Sequence, residues 1–113
     1  MIKTVSLLTR KPEISHEEFV RHWVEVHAPL AHGIPGLRRY VLSLITEEAG
    51  ARHDIPMQAM EVDGIAELWY DDIDTWRRAA STPEAKRLHA DGALFIGRIK
   101  TFVTEENVII PKS

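Results

Sequence analysis

Hydrophobic residues fall along this chain in two periods, one for strands and one for helices. Ile2 to Thr9 is rich in strand-forming residues and stops at Lys11-Pro12, because proline cannot donate to a sheet ladder. Ser15-His16-Glu17-Glu18 has the form of a capping box, with Glu18 at the third helical position, and predicts a helix start. Wound at about 100° per residue, Phe19, Trp23, Val26 and Leu30 share one stripe of that helix. His27 borders the core face on one side of the stripe and His22 lies at the edge between core and water on the other, each about 70° from the centre. Gly33 to Gly36 is expected to end the helix, and Pro29 fits its last turn only with a kink.

Leu37 to Thr46 switches to a period of two, with Tyr40, Leu42 and Leu44 on one face and Arg39, Val41, Ser43 and Ile45 on the other. Glu47 to Asp63 has no period; at about seventeen residues it is long for a connection in a small domain, which points to a functional loop. Gly64 to Tyr70 alternates again, Ile65, Glu67 and Trp69 against Ala66, Leu68 and Tyr70. Asp71 or Asp72 is expected to cap a second helix through Ala80. Ser81-Thr82-Pro83-Glu84 restarts it to about His89. A last strand covers roughly Arg98 to Thr104. The apolar centre of the tail, Val108-Ile109-Ile110, is expected to pack on something.

The order β-α-β-β-α-β predicts an α+β fold, the ferredoxin-like split βαβ, as one domain over residues 1–113 with an antiparallel sheet and both helices on one face. The strands carry apolar residues on both faces. The face the helices leave open is expected to be covered by the same face of a second copy, giving a homodimer.

Composition narrows the function classes. A net charge of −3 gives no basic footprint for nucleic acid and no polybasic membrane patch. With no cysteine, disulfides, thiolate metal sites and cysteine nucleophiles are excluded. The first eight residues are too short for a signal h-region with a cleavage site, and no apolar run approaches the roughly 20 residues of a membrane span. A soluble, cytoplasmic protein is the expectation.

His22-Trp23 through His27-Ala28-Pro29-Leu30, Pro35-Gly36-Leu37 with Tyr40, His53 three before Pro56, Gly64-Ile65, Trp69 and Phe95-Ile96-Gly97 carry a resemblance over nearly the whole chain. In these the sequence resembles the EthD family of dimeric α/β-barrel proteins, including its methylmuconolactone methylisomerase branch. The resemblance implies a pocket between helices and sheet that joins His27, Tyr40 and His53. The chain departs from the isomerase branch in having no cysteine and in carrying Trp23 and Pro29.

Each candidate has a plain alternative. His27 is suited to general acid/base work, since imidazole titrates near neutral pH, or else bonds a carbonyl at the core edge. Tyr40 holds a substrate oxygen or fills the core, and His53 acts from the loop or is simply solvated. Arg38 and Arg39 neutralise a carboxylate or are surface charges. Trp23, Trp69 and Phe95 are candidate aromatic walls for an apolar ligand, with Arg39 beside them. No metal is expected: His16, His22, His27, His32, His53 and His89 include no pair three or four residues apart. His22 and His27 diverge by about 140° on a regular helix. The expected function is that of a cofactor-free enzyme of a catabolic pathway acting on a small, mostly apolar or lactone-like metabolite, with His27 as acid/base. A non-catalytic small-molecule-binding dimer and a cofactor-free monooxygenase are the alternatives.

Overall fold

In the computed structural model, which describes residues 1–112, strands β1 (Ile2–Arg10), β2 (Arg39–Leu44), β3 (Gly64–Tyr70) and β4 (Ile96–Glu105) form one antiparallel sheet. Its order is β2-β3-β1-β4, the ferredoxin-like arrangement that the element order predicts. Helices α1 (His16–His22), α2 (Ile73–Ala80) and α3 (Pro83–Phe95) connect the strands, and α1 continues into a π-helical turn over Trp23–His27 and 3₁₀ turns over Ala28–Gly33. Among the described residues no helix is long and apolar enough to cross a membrane.

Local chemistry sets the helix starts. Ser15 Oγ accepts from the Glu18 N–H at 3.1 Å and itself donates to Glu18 Oε1, which satisfies one of the free donors of the first turn. Asp72 caps α2 and Thr82 caps α3, with Pro83 in the first turn, where its missing N–H costs nothing. One boundary differs from expectation: α3 runs on past His89 and through Gly92 to Phe95. A glycine inside a helix costs about 1 kcal/mol relative to alanine. Here it lies 3.5 Å, measured from where a Cβ would be, from Cε1 of His27.

The sheet's two faces follow from register. Thr4, Ser6 and Leu8 of β1, Ala66, Leu68 and Tyr70 of β3, and Tyr40 and Leu42 of β2 all point to the helices. Phe19, Trp23 and Phe95 close over Leu8 and Ala66 as one core cluster; Ala31, Ile34, Ala79 and Leu88 close over Tyr70 as another. The opposite face carries Val5, Leu7, Val41, Ile65 and Phe102, left partly uncovered by this chain. The tail expectation is not met among the described residues: Val108, Ile109 and Ile110, beyond the end of β4 at Glu105, are 66–87% exposed.

Candidate functional site

The first helix buries a different set of residues from the one its regular period predicts. Phe19, Trp23, His27 and Ala31 are inside, four residues apart each time, while Val26 is 48% exposed. The cause is the widened turn, in which the Ala28 N–H bonds back to the Trp23 carbonyl five residues earlier. Pro29 has no N–H to offer, and its ring would collide with the carbonyl of Glu25 in a regular turn, so the backbone opens there. The added residue per turn rotates Val26 out and His27 in.

His27 then lines a cavity of about 450 Å³ between the helices and the sheet. Trp23, Tyr40, Leu68, Trp76, Ala79 and Leu88 line it, so the walls are mainly apolar. The floor is more polar: Thr4 and Ser6 are buried there, and Ser6 and Thr101 share a hydroxyl hydrogen bond at 2.8 Å. Trp23 Nε1–H donates to Tyr40 Oη at 3.2 Å, so the Tyr40 O–H itself is left for a ligand. Burial pushes the Tyr40 phenol up, against a smaller downward effect of the Trp23 hydrogen bond, and keeps it a donor at neutral pH. Trp23 can lie here because its ring occupies the space a side chain on Gly64 would need.

His27 is held from behind. Its Nδ1 lies 2.8 Å from Asp91 Oδ2, which leaves Nε2 unengaged by that carboxylate, and the residue lines the cavity. Asp91 also meets His22 Nε2, at 3.0 Å to Oδ2 and 3.2 Å to Oδ1. Phe95 packs against both imidazoles, with ring centroids 4.5 Å from His22 and 5.0 Å from His27. Burial lowers the His27 pKa from its ordinary 6.5; the Asp91 hydrogen bond and charge oppose this, and the charges of His22 and His89 add to it. A neutral imidazole at pH 7 is a base. Because the folded state holds fewer protons than the unfolded one below pH 6.5, stability present above that value is lost as pH falls through the depressed pKa. Urea midpoints measured from pH 7.5 downward are expected to fall on the acid side, and His27→Gln to flatten that fall.

The sequence-based candidates divide sharply. His27, Tyr40 and Trp23 come together on the cavity. His53 does not: it is exposed in the loop at a φ of 52°, beside the isolated Arg52–Ile55 bridge, and does not line the cavity. Arg39 and Trp69 are directly paired in register and so share the sheet's opposite face, where Arg39 lies 4.9 Å from the Trp69 ring centroid and Trp69 Nε1 donates to Glu106. Strand alternation turns both away from the cavity that Tyr40 and Leu68 face. Phe95 is buried behind the histidines and not on the cavity wall. Arg38 pairs with Asp71 on the surface. Neither Asp91 nor His22's part in the site is evident from sequence; both sit where one carboxylate meets two histidines from another element, a contact no local spacing encodes. Among the described residues no three His, Asp or Glu donors are placed to share a metal ion.

A family model described as EthD domain matches residues 11–99. The chain is 32% identical over 108 residues to a 4-carboxymethyl-4-methylbutenolide mutase of Pseudomonas reinekei, covering 96% of this chain and 100% of the relative. It is similar to the crystal structure of an EthD family protein from Bacillus halodurans, at 30% identity, a TM-score of 0.75, and coverage of 95% and 99% of the two chains. A dimeric ferredoxin-like protein of unknown function from Thermobifida fusca matches at 16% identity and a TM-score of 0.66, over 91% of this chain and 88% of that one.

Proposed function

The chain belongs to the EthD domain family, and on that footing we propose that it takes a small, largely apolar, lactone-like metabolite into the helix–sheet cavity and isomerises it by proton transfer at His27. The observation that carries this reading is a histidine on the wall of a mainly apolar cavity with its Nδ1 fixed on Asp91. His27 Nε2 takes a proton from a carbon made acidic by a neighbouring carbonyl, and the electron pair moves onto the carbonyl oxygen. The Tyr40 O–H donates to that developing oxyanion. The imidazolium then returns the proton at another position of the substrate, and the catalyst is restored. Such a reaction has no net oxidation and calls for no cofactor, and the relative of 32% identity is named a mutase.

Turnover tests the reading with the butenolide in the relative's name as the first probe, followed by NMR of substrate and product. Tyr40→Phe is expected to cut kcat by about tenfold to a hundredfold through loss of one oxyanion donor, with the fold unchanged. Ligand binding with no turnover, in the wild type and across a panel of related lactones, would make the chain a binding module instead.

The assembly is proposed to be a homodimer through the helix-free sheet face, with the sheets face to face. Support comes from Val5, Leu7, Ile65 and Phe102 on that face and from the dimeric state of the similar Thermobifida protein. Light scattering at micromolar concentration should give twice the mass of a 12.9 kDa chain, and a monomer there would sink the dimer.

A further inference from the structure

We infer that Asp91 and His22 are positioning residues for His27: the carboxylate fixes which imidazole nitrogen is free in the cavity, and His22 fixes the carboxylate. The geometry is that of a clamp with its tip at the cavity and its handle at the surface. Side-chain exposure rises stepwise from 9% at His27 through 12% at Asp91 to 28% at His22. An ionised carboxylate only accepts hydrogen bonds, so Asp91 holds the proton of His27 on Nδ1 and leaves Nε2 with its lone pair toward the ligand. One such contact leaves the carboxylate free to swivel. The second, from His22 Nε2 to both oxygens at 3.0 and 3.2 Å, stops it. Phe95 backs both rings, so the two imidazoles are fixed against one aromatic surface.

Chain geometry explains how two histidines five apart come to share one acceptor. In a regular helix they diverge, whereas the π-turn that bonds residue to residue across five positions brings His22 and His27 to the same side. Gly92, one residue after Asp91, places the α3 backbone beside the His27 ring edge, with a Cβ there 3.5 Å from Cε1, an ordinary contact distance. The widened turn and the largely buried carboxylate thus serve one arrangement, and each departs from local preference on its own.

This inference rests on His27 being the base, but its first test does not. Long-range ¹H–¹⁵N correlation spectra of the ligand-free, ¹⁵N-labelled full chain at pH 7.5 read the protonation of each histidine nitrogen. The expected result is His27 protonated on Nδ1 and bare on Nε2; a proton on Nε2 overturns the clamp whether or not the protein turns over any substrate. Asp91→Asn offers an amide in place of the carboxylate and is expected to shift His27 toward the Nε2-protonated tautomer, with kcat down by about a hundredfold and KM little changed. An unaltered tautomer in that variant overturns the role of Asp91. His22→Gln keeps a donor for Asp91, and His22→Leu keeps only apolar packing on Phe95. If His22 positions the carboxylate, Gln retains the wild-type His27 tautomer and most of kcat, while Leu mixes the tautomers and lowers kcat about tenfold. The reverse order, with Leu tolerated and Gln not, would reduce His22 to a packing residue. Should Asp91→Asn fail to fold, the wild-type spectrum and the His22 pair still decide the matter.

Discussion

His27→Gln is expected to lower kcat by about a hundredfold to ten-thousandfold, the range that loss of a positioned acid/base costs, while leaving ligand affinity little changed. Glutamine offers Asp91 an amide donor in place of the imidazole, and His22 remains bonded to the same carboxylate, so this largely buried group keeps its partners. What it lacks is a nitrogen that can take and return a proton. The separation of kcat from binding matters, since a residue that merely filled the cavity wall would weaken affinity instead. Calorimetric titration of the ligand beside steady-state turnover separates the two, and equal loss in both would remove His27 from the chemistry. The pH profile adds a second check. With the imidazole pushed below its ordinary 6.5 by burial, the acid limb of kcat/KM should lie below that value. A limb above it would mean that the Asp91 charge outweighs desolvation.

Trp23→Ala is expected to destabilise the fold by about 4 kcal/mol, in the range for removing a fully buried large aromatic. Trp23 has no exposed surface, meets Phe19 edge-on at a centroid distance of 5.4 Å and sits flush on Gly64. Its loss opens a cavity at the centre of the core and leaves Tyr40 without its Nε1–H donor. Native domains are stable by only about 5–15 kcal/mol, so the change is a large share of the total. Urea denaturation followed by circular dichroism measures it, and a loss below about 1.5 kcal/mol would show that the site collapses around the gap. Trp23→Phe retains most of the ring volume and is expected to lose far less stability while still removing the bond to Tyr40. A comparison of the two variants therefore separates the core role of Trp23 from its role in orienting the phenol.

Strand faces, helix caps and turns were legible because they depend on neighbours in sequence. Period-two alternation in Arg39–Leu44 and Gly64–Tyr70 put Tyr40 and Leu68 on one face and Arg39 and Trp69 on the other. Ser15, the pair Asp71-Asp72 and the run Ser81-Thr82-Pro83-Glu84 announced helix starts in the sequence, and the structure places the caps on Ser15, Asp72 and Thr82. The same alternation already implied that Arg39 and Tyr40 cannot share a site, so the placing of Arg39 at the pocket conflicted with a rule the sequence itself carried.

The sequence by itself determined the element order, the topology that results from it, the family, and the pair Trp23 and His27 on the first helix. Only the tertiary structure decided which stripe of that helix is buried. The π-turn before Pro29 shifts the phase by a residue, sending Val26 to solvent and His27 into the cavity, and a regular wheel has no such turn in it. Only the tertiary structure, too, joined His22 and His27 through Asp91, which stands 64 residues beyond His27. A carboxylate's partner across such a distance is set by how α3 packs on the first helix, and packing is a property of surfaces rather than of spacing. The stretch from His22 to His27 was readable as one wall of a site, and the residue that orients it was not.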